Sequence, residues 1–345
     1  MPEKKTKKER DNEEFFVYLS FFILFLALVI LVPKVLVELK EDTCGDGTPY
    51  GSCSSIKPFY CQKGKLIEKA SSCGCDGIIS GDSCIMDLSL QTEQKNITLN
   101  YILDGEEKTI DFKVYKGLAD YLSYIPRQIS YSDGEIPNRA EFILKKIDEE
   151  KQRRFLLPLL IEIQNLSNDK EEQAKIAISL VQNIQYGFSE KQGPYLGVNY
   201  SRYPYEILYD QEGICGEKSE LLVFLLREMG YETAIFYNQK ENHESVGIKC
   251  PFSESYKKTR YCFVETSGPA IISDDSIEYA GGISLESEPE VIKISEGRSL
   301  PAGLQEYRDA EEIKRLKKSP FFLFRQSRLE KLIEKYGLIE KYFVE

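Results

Sequence analysis

The stretch that decides the fold covers residues 213–266. It opens with Gly213-Ile214-Cys215-Gly216 ahead of an apolar helical pattern, continues with Asn242-His243-Glu244 ahead of a strand pattern, and ends with Tyr261-Cys262-Phe263-Val264-Glu265-Thr266. A thiol, an imidazole and a carboxylate in this order are the parts of a cysteine nucleophile system. His243 is the only histidine in the chain, so any Cys/His mechanism has to use it.

The spacing of apolar residues in this stretch predicts one helix followed by strands. The helix runs from Cys215 to about Met229, where Gly230 is a natural stop. Strands are predicted at residues 233–237, 244–249 and 261–265.

Cysteine attacks as the thiolate, which a helix start stabilises through its free N–H groups and its dipole. We expect His243 to protonate the leaving amine and Glu265 to orient the ring by accepting a hydrogen bond from its second N–H, Nδ1–H. Glu217, two residues after the nucleophile, opposes the thiolate unless it points away. The alternative is a structural role, in which Cys215 is a small core residue.

The register of the two strands affects both the site and a disulfide. Pairing His243 directly with Glu265 in an antiparallel sheet lets both side chains face the same side. The same pairing separates Cys250 from Cys262 by roughly 13 Å at ~3.3 Å per residue. Either a bulge or loop brings these two cysteines together, or they are not bonded to each other.

Six of the nine cysteines fall between residues 44 and 84, among many glycines. So short a segment has little apolar material for a core and is typical of a module closed by three disulfides, with 15 possible connectivities. The alternatives are a zinc site, or thiol redox chemistry centred on Cys73-Gly74-Cys75. If Cys250 and Cys262 are also bonded, rather than being buried free thiols, Cys215 is the one thiol left over and a candidate reactive group.

The N-terminal region has the features of a membrane anchor. Residues 15–32 form an uncharged run of 18 residues, and the apolar character extends to about residue 38. Five Lys and Arg residues lie within residues 1–14, which predicts a cytoplasmic tail and an extracytoplasmic remainder. A cleaved signal peptide is the alternative, but no Ala-x-Ala-like site follows the run.

The charge balance excludes one class of partner. From Glu41 onward the chain holds 38 Lys and Arg against 50 Asp and Glu. An acidic exterior of this kind argues against binding to nucleic acid. Three glycosylation sequons, at Asn96, Asn165 and Asn199, follow the anchor and are compatible with a glycoprotein.

Composition divides the remainder into four regions. Residues 187–212, rich in Tyr, Pro and Gly, are predicted to be a long loop across the mouth of a site. The predicted regions are a disulfide-rich module (42–86), a β-hairpin with a helical part (87–168), the core with the candidate site (169–280), and a connector with C-terminal amphipathic helices (281–345).

Residues of about 170 to 270 resemble the transglutaminase-like fold within the papain-like cysteine enzymes. The resemblance is carried by Tyr203-Pro204-Tyr205-Glu206, by Glu212-Gly213-Ile214-Cys215-Gly216-Glu217-Lys218-Ser219, by His243 and by Phe263-Val264-Glu265-Thr266. It implies an α+β fold in which the nucleophile helix packs on an antiparallel sheet. It also implies Cys215 as nucleophile, His243 as general base and acid, and Glu265 as orienting acid, with no cofactor and no metal.

Two positions depart from the family's pattern. Glu265 stands where an aspartate is usual, and Ser245 stands where an aromatic residue, often tryptophan, follows the histidine. The resulting hypothesis is a membrane-anchored extracytoplasmic peptidase, amidase or acyl transferase acting on protein or peptide substrates at the cell envelope. The alternative is a non-catalytic module of the same fold that binds glycan or protein there.

Overall fold

A computed structural model of the chain describes residues 19–22, 25, 42–132, 134, 136–193, 199–276, 284–318 and 322–338. The predicted tail (1–14) lies outside these residues, as does the predicted anchor (15–38) apart from residues 19–22 and 25. Among the residues described, no helix is long and apolar enough to cross a membrane. The chain divides into two compact units, residues 1–43 and 44–345. The description below concerns the second unit.

The second unit is a mixed α+β fold closed by four disulfides. Its helices are α1 (Ala70–Cys73), α2 (Lys116–Tyr124), α3 (Arg139–Ile147), α4 (Glu150–Leu166), α5 (Lys170–Gln182), α6 (Pro204–Asp210), α7 (Cys215–Glu228), α8 (Gln305–Lys318) and α9 (Phe322–Tyr336). Its strands are β1 (Phe59–Gln62), β2 (Lys65–Glu68), β3 (Ile78–Ser80), β4 (Ser83–Ile85), β5 (Gln94–Leu103), β6 (Glu106–Tyr115), β7 (Gln185–Tyr186), β8 (Glu212–Gly213), β9 (Thr233–Asn238), β10 (His243–Lys249), β11 (Tyr261–Val264) and β12 (Glu290–Ser295).

A four-stranded antiparallel sheet in the order β11-β10-β9-β12 forms the centre of the fold. Helix α7 packs on β9 and β10, and its apolar residues from Leu221 to Leu226 are fully buried. Burial of this continuous apolar face fixes the start of α7 relative to the sheet edge where β10 begins. The helix and the three strands predicted from the sequence are therefore present.

The register between β10 and β11 differs from direct pairing of His243 with Glu265. Val246 lies opposite Val264 and Ile248 lies opposite Cys262, so the strands are offset by two residues from that pairing. The offset removes the conflict with the disulfide, because Cys250 and Cys262 come within 5.7 Å between Cα atoms and are bonded. The interpretation of these two cysteines as free thiols is therefore wrong.

Two regions predicted to be irregular contain regular elements. Helix α6 lies within the loop predicted at residues 187–212, because Pro204 at its first turn presets the backbone for a helix. Strand β12 lies within the predicted connector and adds to the sheet beside β9, with Ile292 buried. Its short alternating pattern was masked in the sequence by the neighbouring Pro, Ser and Glu residues.

The cysteine-rich module has the three disulfides expected, with the pairs Cys44–Cys61, Cys53–Cys73 and Cys75–Cys84. Cys73 and Cys75 bond to different partners, so they do not form a redox pair with each other. The zinc interpretation is also wrong, because all six sulfur atoms are in disulfides.

The module is anchored on the corner between α4 and α5. The Gly45 carbonyl accepts hydrogen bonds from Lys170 Nζ and Gln173 Nε2, both at 2.7 Å. Asn165 exchanges two hydrogen bonds with the backbone of Leu66, at 2.7 and 3.0 Å. The amide nitrogen of this sequon therefore takes part in the packing of the module.

We predict that replacing both Cys250 and Cys262 by alanine lowers the free energy of unfolding by about 3 kcal/mol, the value typical of a loop of this order. The reason is that the bond restricts the unfolded chain between β10 and β11. Urea unfolding followed by circular dichroism measures the change. The control is Cys215→Ala, which removes a half-buried thiol that is in no disulfide and should change the free energy of unfolding much less. An equal effect of the control and of the double variant would contradict the prediction.

Candidate active site

Cys215 is the first residue of α7 and is half-buried. All nine cysteines lie in the described part of the chain, and the other eight are bonded in pairs. The chain enters the helix from β8, which pairs in parallel with β7, and Ile214 has an extended backbone. The first N–H groups of α7 are therefore placed beside the thiol, where they favour negative charge.

The acidic residue in this first turn points away from the thiol. Glu217 is buried and accepts hydrogen bonds from the backbone N–H groups of Arg202 at 2.6 Å and Ile214 at 3.1 Å. Its carboxylate also pairs with the Arg202 guanidinium at 3.1 Å, and Arg202 in turn binds Asp210 at 2.9 Å. As the sequence analysis required for a stable thiolate, Glu217 is turned away from Cys215, and its charge is balanced by the buried Arg202.

His243 begins β10 and is buried, with its Nε2 atom 2.8 Å from Oε2 of Glu265. The second oxygen of Glu265 accepts hydrogen bonds from the backbone N–H groups of Thr266 at 2.9 Å and Ser267 at 2.8 Å. The sequence predicted contact at Nδ1, and that prediction is wrong. Glu265 lies directly after the end of β11, offset from His243, and meets the ring at Nε2. The His243 side chain is also hydrogen-bonded to Cys215.

The electrostatics of the pair favour an imidazolium. Burial disfavours the charged ring, but the Glu265 carboxylate, hydrogen bonds with Cys215 and Glu265, and the charge of Cys215 outweigh it and raise the pKa of His243 to about 10. Burial likewise opposes ionisation of Glu265, yet the His243 charge and the surrounding donors hold the pKa of this carboxyl below its usual value. At neutral pH the site therefore contains a protonated ring beside an ionised acid.

Polar side chains without a predicted role connect Glu265 to helix α7. Thr266 Oγ1 lies 3.1 Å from the Cys215 carbonyl oxygen, to which it donates, and 3.0 Å from Ser219 Oγ. From α5, Gln182 Nε2 donates to the Glu265 carbonyl at 2.9 Å. A polar residue at a buried helical position, as Gln182 is, was the available sequence signal for this contact.

Lys218 is a second residue that the sequence analysis missed. It is fully buried, one turn after Cys215, and its Nζ donates to the carbonyls of Gln182 at 3.2 Å and Ile184 at 2.6 Å. Burial lowers its pKa to about 7, against the opposing effect of the negative charges of Glu265 and Cys215. The available sequence signal for Lys218 was a lysine within a predicted helix that is otherwise largely apolar.

The thiol opens into a cleft of about 450 Å³. The cleft is lined by Cys215 and Gly216 from α7, by Tyr237 and Glu244 from the sheet, and by residues of α3. Ser201 and Tyr203, from the segment predicted to cross the mouth of the site, also line the cleft. Residues 194–198 of that segment lie outside the described ranges.

Comparison with known proteins finds structural neighbours at low similarity, among them two structures of one protein. Legionella pneumophila LapG has 15% identity and a TM-score of 0.24, over 37% of this chain and 72% of that chain. Calcium-bound LapG from the same organism has 17% identity and a TM-score of 0.27, over 51% of this chain and 98% of that chain. No family model and no curated protein matches the sequence.

We predict that the single histidine stays protonated up to about pH 10 in the folded protein. Its ring Cε1–H signal, followed by NMR with labelled histidine, should change near that pH and not near the ordinary value of ~6.5. Glu265→Gln should move the transition down toward the ordinary value, because the carboxylate stabilises the charged ring. Cys215→Ala should move it in the same direction.

Glu232→Gln is the matched control for this titration. Glu232 is also a buried carboxylate at the sheet, but it binds Lys249 and Tyr261 and makes no contact with His243. The Glu232→Gln variant should therefore leave the histidine titration unchanged. A wild-type transition near pH 6.5 would show that the ring is neutral at physiological pH.

Proposed function

We propose that this protein is a thiol enzyme that acts on amide bonds through an acyl-enzyme. The observation that supports it is the position of Cys215, half-buried at a helix start in the cleft, beside the buried pair of His243 and Glu265. A buried ion pair costs desolvation free energy and is weak evidence for stability alone. Its place behind the one free thiol favours a catalytic role.

In the proposed reaction, the Cys215 thiolate attacks the amide carbon, and the carbonyl π electrons move to oxygen. Backbone N–H groups at the start of α7 stabilise this oxyanion. Collapse of the intermediate breaks the C–N bond as His243 gives its proton to the leaving amine, which leaves a thioester. Water or an amine then attacks the thioester while His243 accepts its proton, and the thiolate leaves. Glu265 stays ionised and holds the ring throughout.

We further propose that the core is of the transglutaminase-like type. The order of its elements supports this: the thiol at the start of α7, the imidazole at the start of β10, and the acid directly after β11, on one antiparallel sheet. Glu265 replaces the usual aspartate, and its longer side chain still reaches the ring.

We propose that the protein is anchored in a membrane and that its folded part lies outside the cytoplasm. Four disulfides favour an oxidising compartment. The basic N-terminal tail followed by an uncharged run of membrane length favours an anchor with its N-terminus inside. Proteins or peptides of the cell envelope are then the substrates that the site can reach.

A binding module of the cell envelope is the second candidate. It is favoured by another cleft, of about 500 Å³, between the cysteine-rich module and α4. This second cleft shares no lining residue with the cleft at Cys215. Lys57, Phe59, Arg153 and Arg154 contribute to its walls and offer both apolar and basic contacts.

Reactivity of the thiol separates the two functions. We predict that iodoacetamide labels Cys215 selectively at pH 7 and that His243→Ala slows labelling about 100-fold, the lower range for loss of an acid–base partner. Mass spectrometry of the non-reduced protein locates the label, and Cys215→Ala is the control for background. A rate that does not respond to His243→Ala would favour the binding module.

The enzymatic reaction is tested with a peptide library prepared from envelope proteins. The wild-type protein should produce new peptide termini that are missing with Cys215→Ala. Adding a primary amine that carries a mass tag distinguishes transfer, which incorporates the tag, from hydrolysis. Absence of both products with a reactive Cys215 would contradict action on peptide amides.

A further inference from the structure

Within the cleft that contains Cys215, the guanidinium group of Arg139 is bound by Tyr237 and Glu244. Arg139, the first residue of α3, places its Cζ atom 3.5 Å from the centre of the Tyr237 ring. Its Nε donates to Oε1 of Glu244 at 3.0 Å, and its Nη2 donates to the same oxygen. An aromatic face combined with a carboxylate is a typical site for a guanidinium group.

This guanidinium site adjoins the nucleophile. Glu244 follows His243 directly in the chain, and Gly216 follows Cys215. A Cβ atom on Gly216 would lie only 2.4 Å from Oε2 of Glu244, so the carboxylate rests against the first turn of α7. Glycine at this position permits the close approach. A group bound to Glu244 is therefore next to the bond that Cys215 would attack.

The two sides of the contact differ in how firmly they are held. Glu244 and Tyr237 are directly opposite each other on β10 and β9, and the Glu244 side chain is only 14% exposed. Arg139 lies at a helix end with a side chain that is 39% exposed. The carboxylate and the ring are thus the fixed part of the site, and the guanidinium is the part that can exchange.

We propose that Glu244 and Tyr237 form the specificity site for a basic side chain of the substrate, and that Arg139 fills this site until the substrate displaces it. The inference rests on the proposed action of Cys215 on peptide substrates. Exchange of one guanidinium for another conserves the charge, the ring contact and the hydrogen bonds at Glu244. Displacement of Arg139 therefore costs little, and the basic side chain gains contacts that a neutral one lacks.

Other charges facing the cleft are compatible with this preference. Lys146 pairs with Glu220, and Arg127 pairs with Glu206 at 2.8 Å. Lys145 is exposed at the cleft and donates to the Gln128 carbonyl. An acidic substrate side chain at the Tyr237 face would have to lie against Glu244, where like charges repel.

The test uses irreversible peptidyl acyloxymethyl ketones, which alkylate a catalytic thiol. Three probes of otherwise equal sequence carry Arg, Gln or Glu at one of the two positions nearest the reacting carbonyl, and the inhibition constant KI is measured with the full chain. We expect a KI about tenfold lower for the Arg probe than for the Gln probe, as for a charge-assisted hydrogen bond. Glu244→Gln should abolish this ratio.

Two further variants distinguish displacement from a general charge effect. Arg139→Gln removes the competitor and should lower the KI of the Arg probe several-fold. Lys145→Gln removes a positive charge from the same cleft without touching Glu244 and should leave the ratio between the Arg and Gln probes unchanged.

The outcomes separate this inference from the proposed function. If iodoacetamide labels Cys215 but Glu244→Gln leaves the ratio of the Arg and Gln probes unchanged, the inference is overturned and the enzyme proposal stands. A preference for the Glu probe overturns it as well. If neither iodoacetamide nor any probe labels Cys215, the proposed function fails and the inference fails with it.

Discussion

The structure depends on the contact between His243 and Glu265, a charge pair buried at the edge of the central sheet. Charges removed from water have to be compensated by geometry, and here every polar atom of the carboxylate has a donor. The register of β10 and β11, their disulfide and the hydrogen bond from Gln182 all restrict the position of this pair. The fold can thus be regarded as the support that keeps one imidazolium in place beside one thiol.

Buried charged residues also position the segment that precedes helix α7. Arg202 joins Asp210 and Glu217, while Glu206 accepts from Arg127 and from the Tyr200 hydroxyl, at 2.8 and 2.5 Å. These directional bonds add to the apolar packing of α6, whose Tyr205, Ile207 and Leu208 are fully buried. The start of α7 is therefore held by bonds from the preceding segment, while the Cys215 thiol remains open to the cleft.

Sequence reasoning identified the three residues that the structure brings together, because each precedes or follows a regular element with a recognisable pattern. Counting thiols also identified Cys215 as the unpaired cysteine. The register, the ring nitrogen that contacts Glu265, and the roles of Lys218 and Arg139 did not follow from the sequence. Each depends on side chains meeting across large separations along the chain, where no local periodicity records the contact. β12 was missed because its flanking residues are typical of loops.

Helix α5 has a further consequence through its two ends. Near its first residue, Lys170 and Gln173 hold the carbonyl of Gly45 in the cysteine-rich module, and at its last residue Gln182 holds the carbonyl of Glu265. Thirteen residues of helix make a stiff rod of about 20 Å between these points. Mechanical load applied to the module is therefore carried by the same rod that sets the position of the acid, so the module and the site form one mechanical unit.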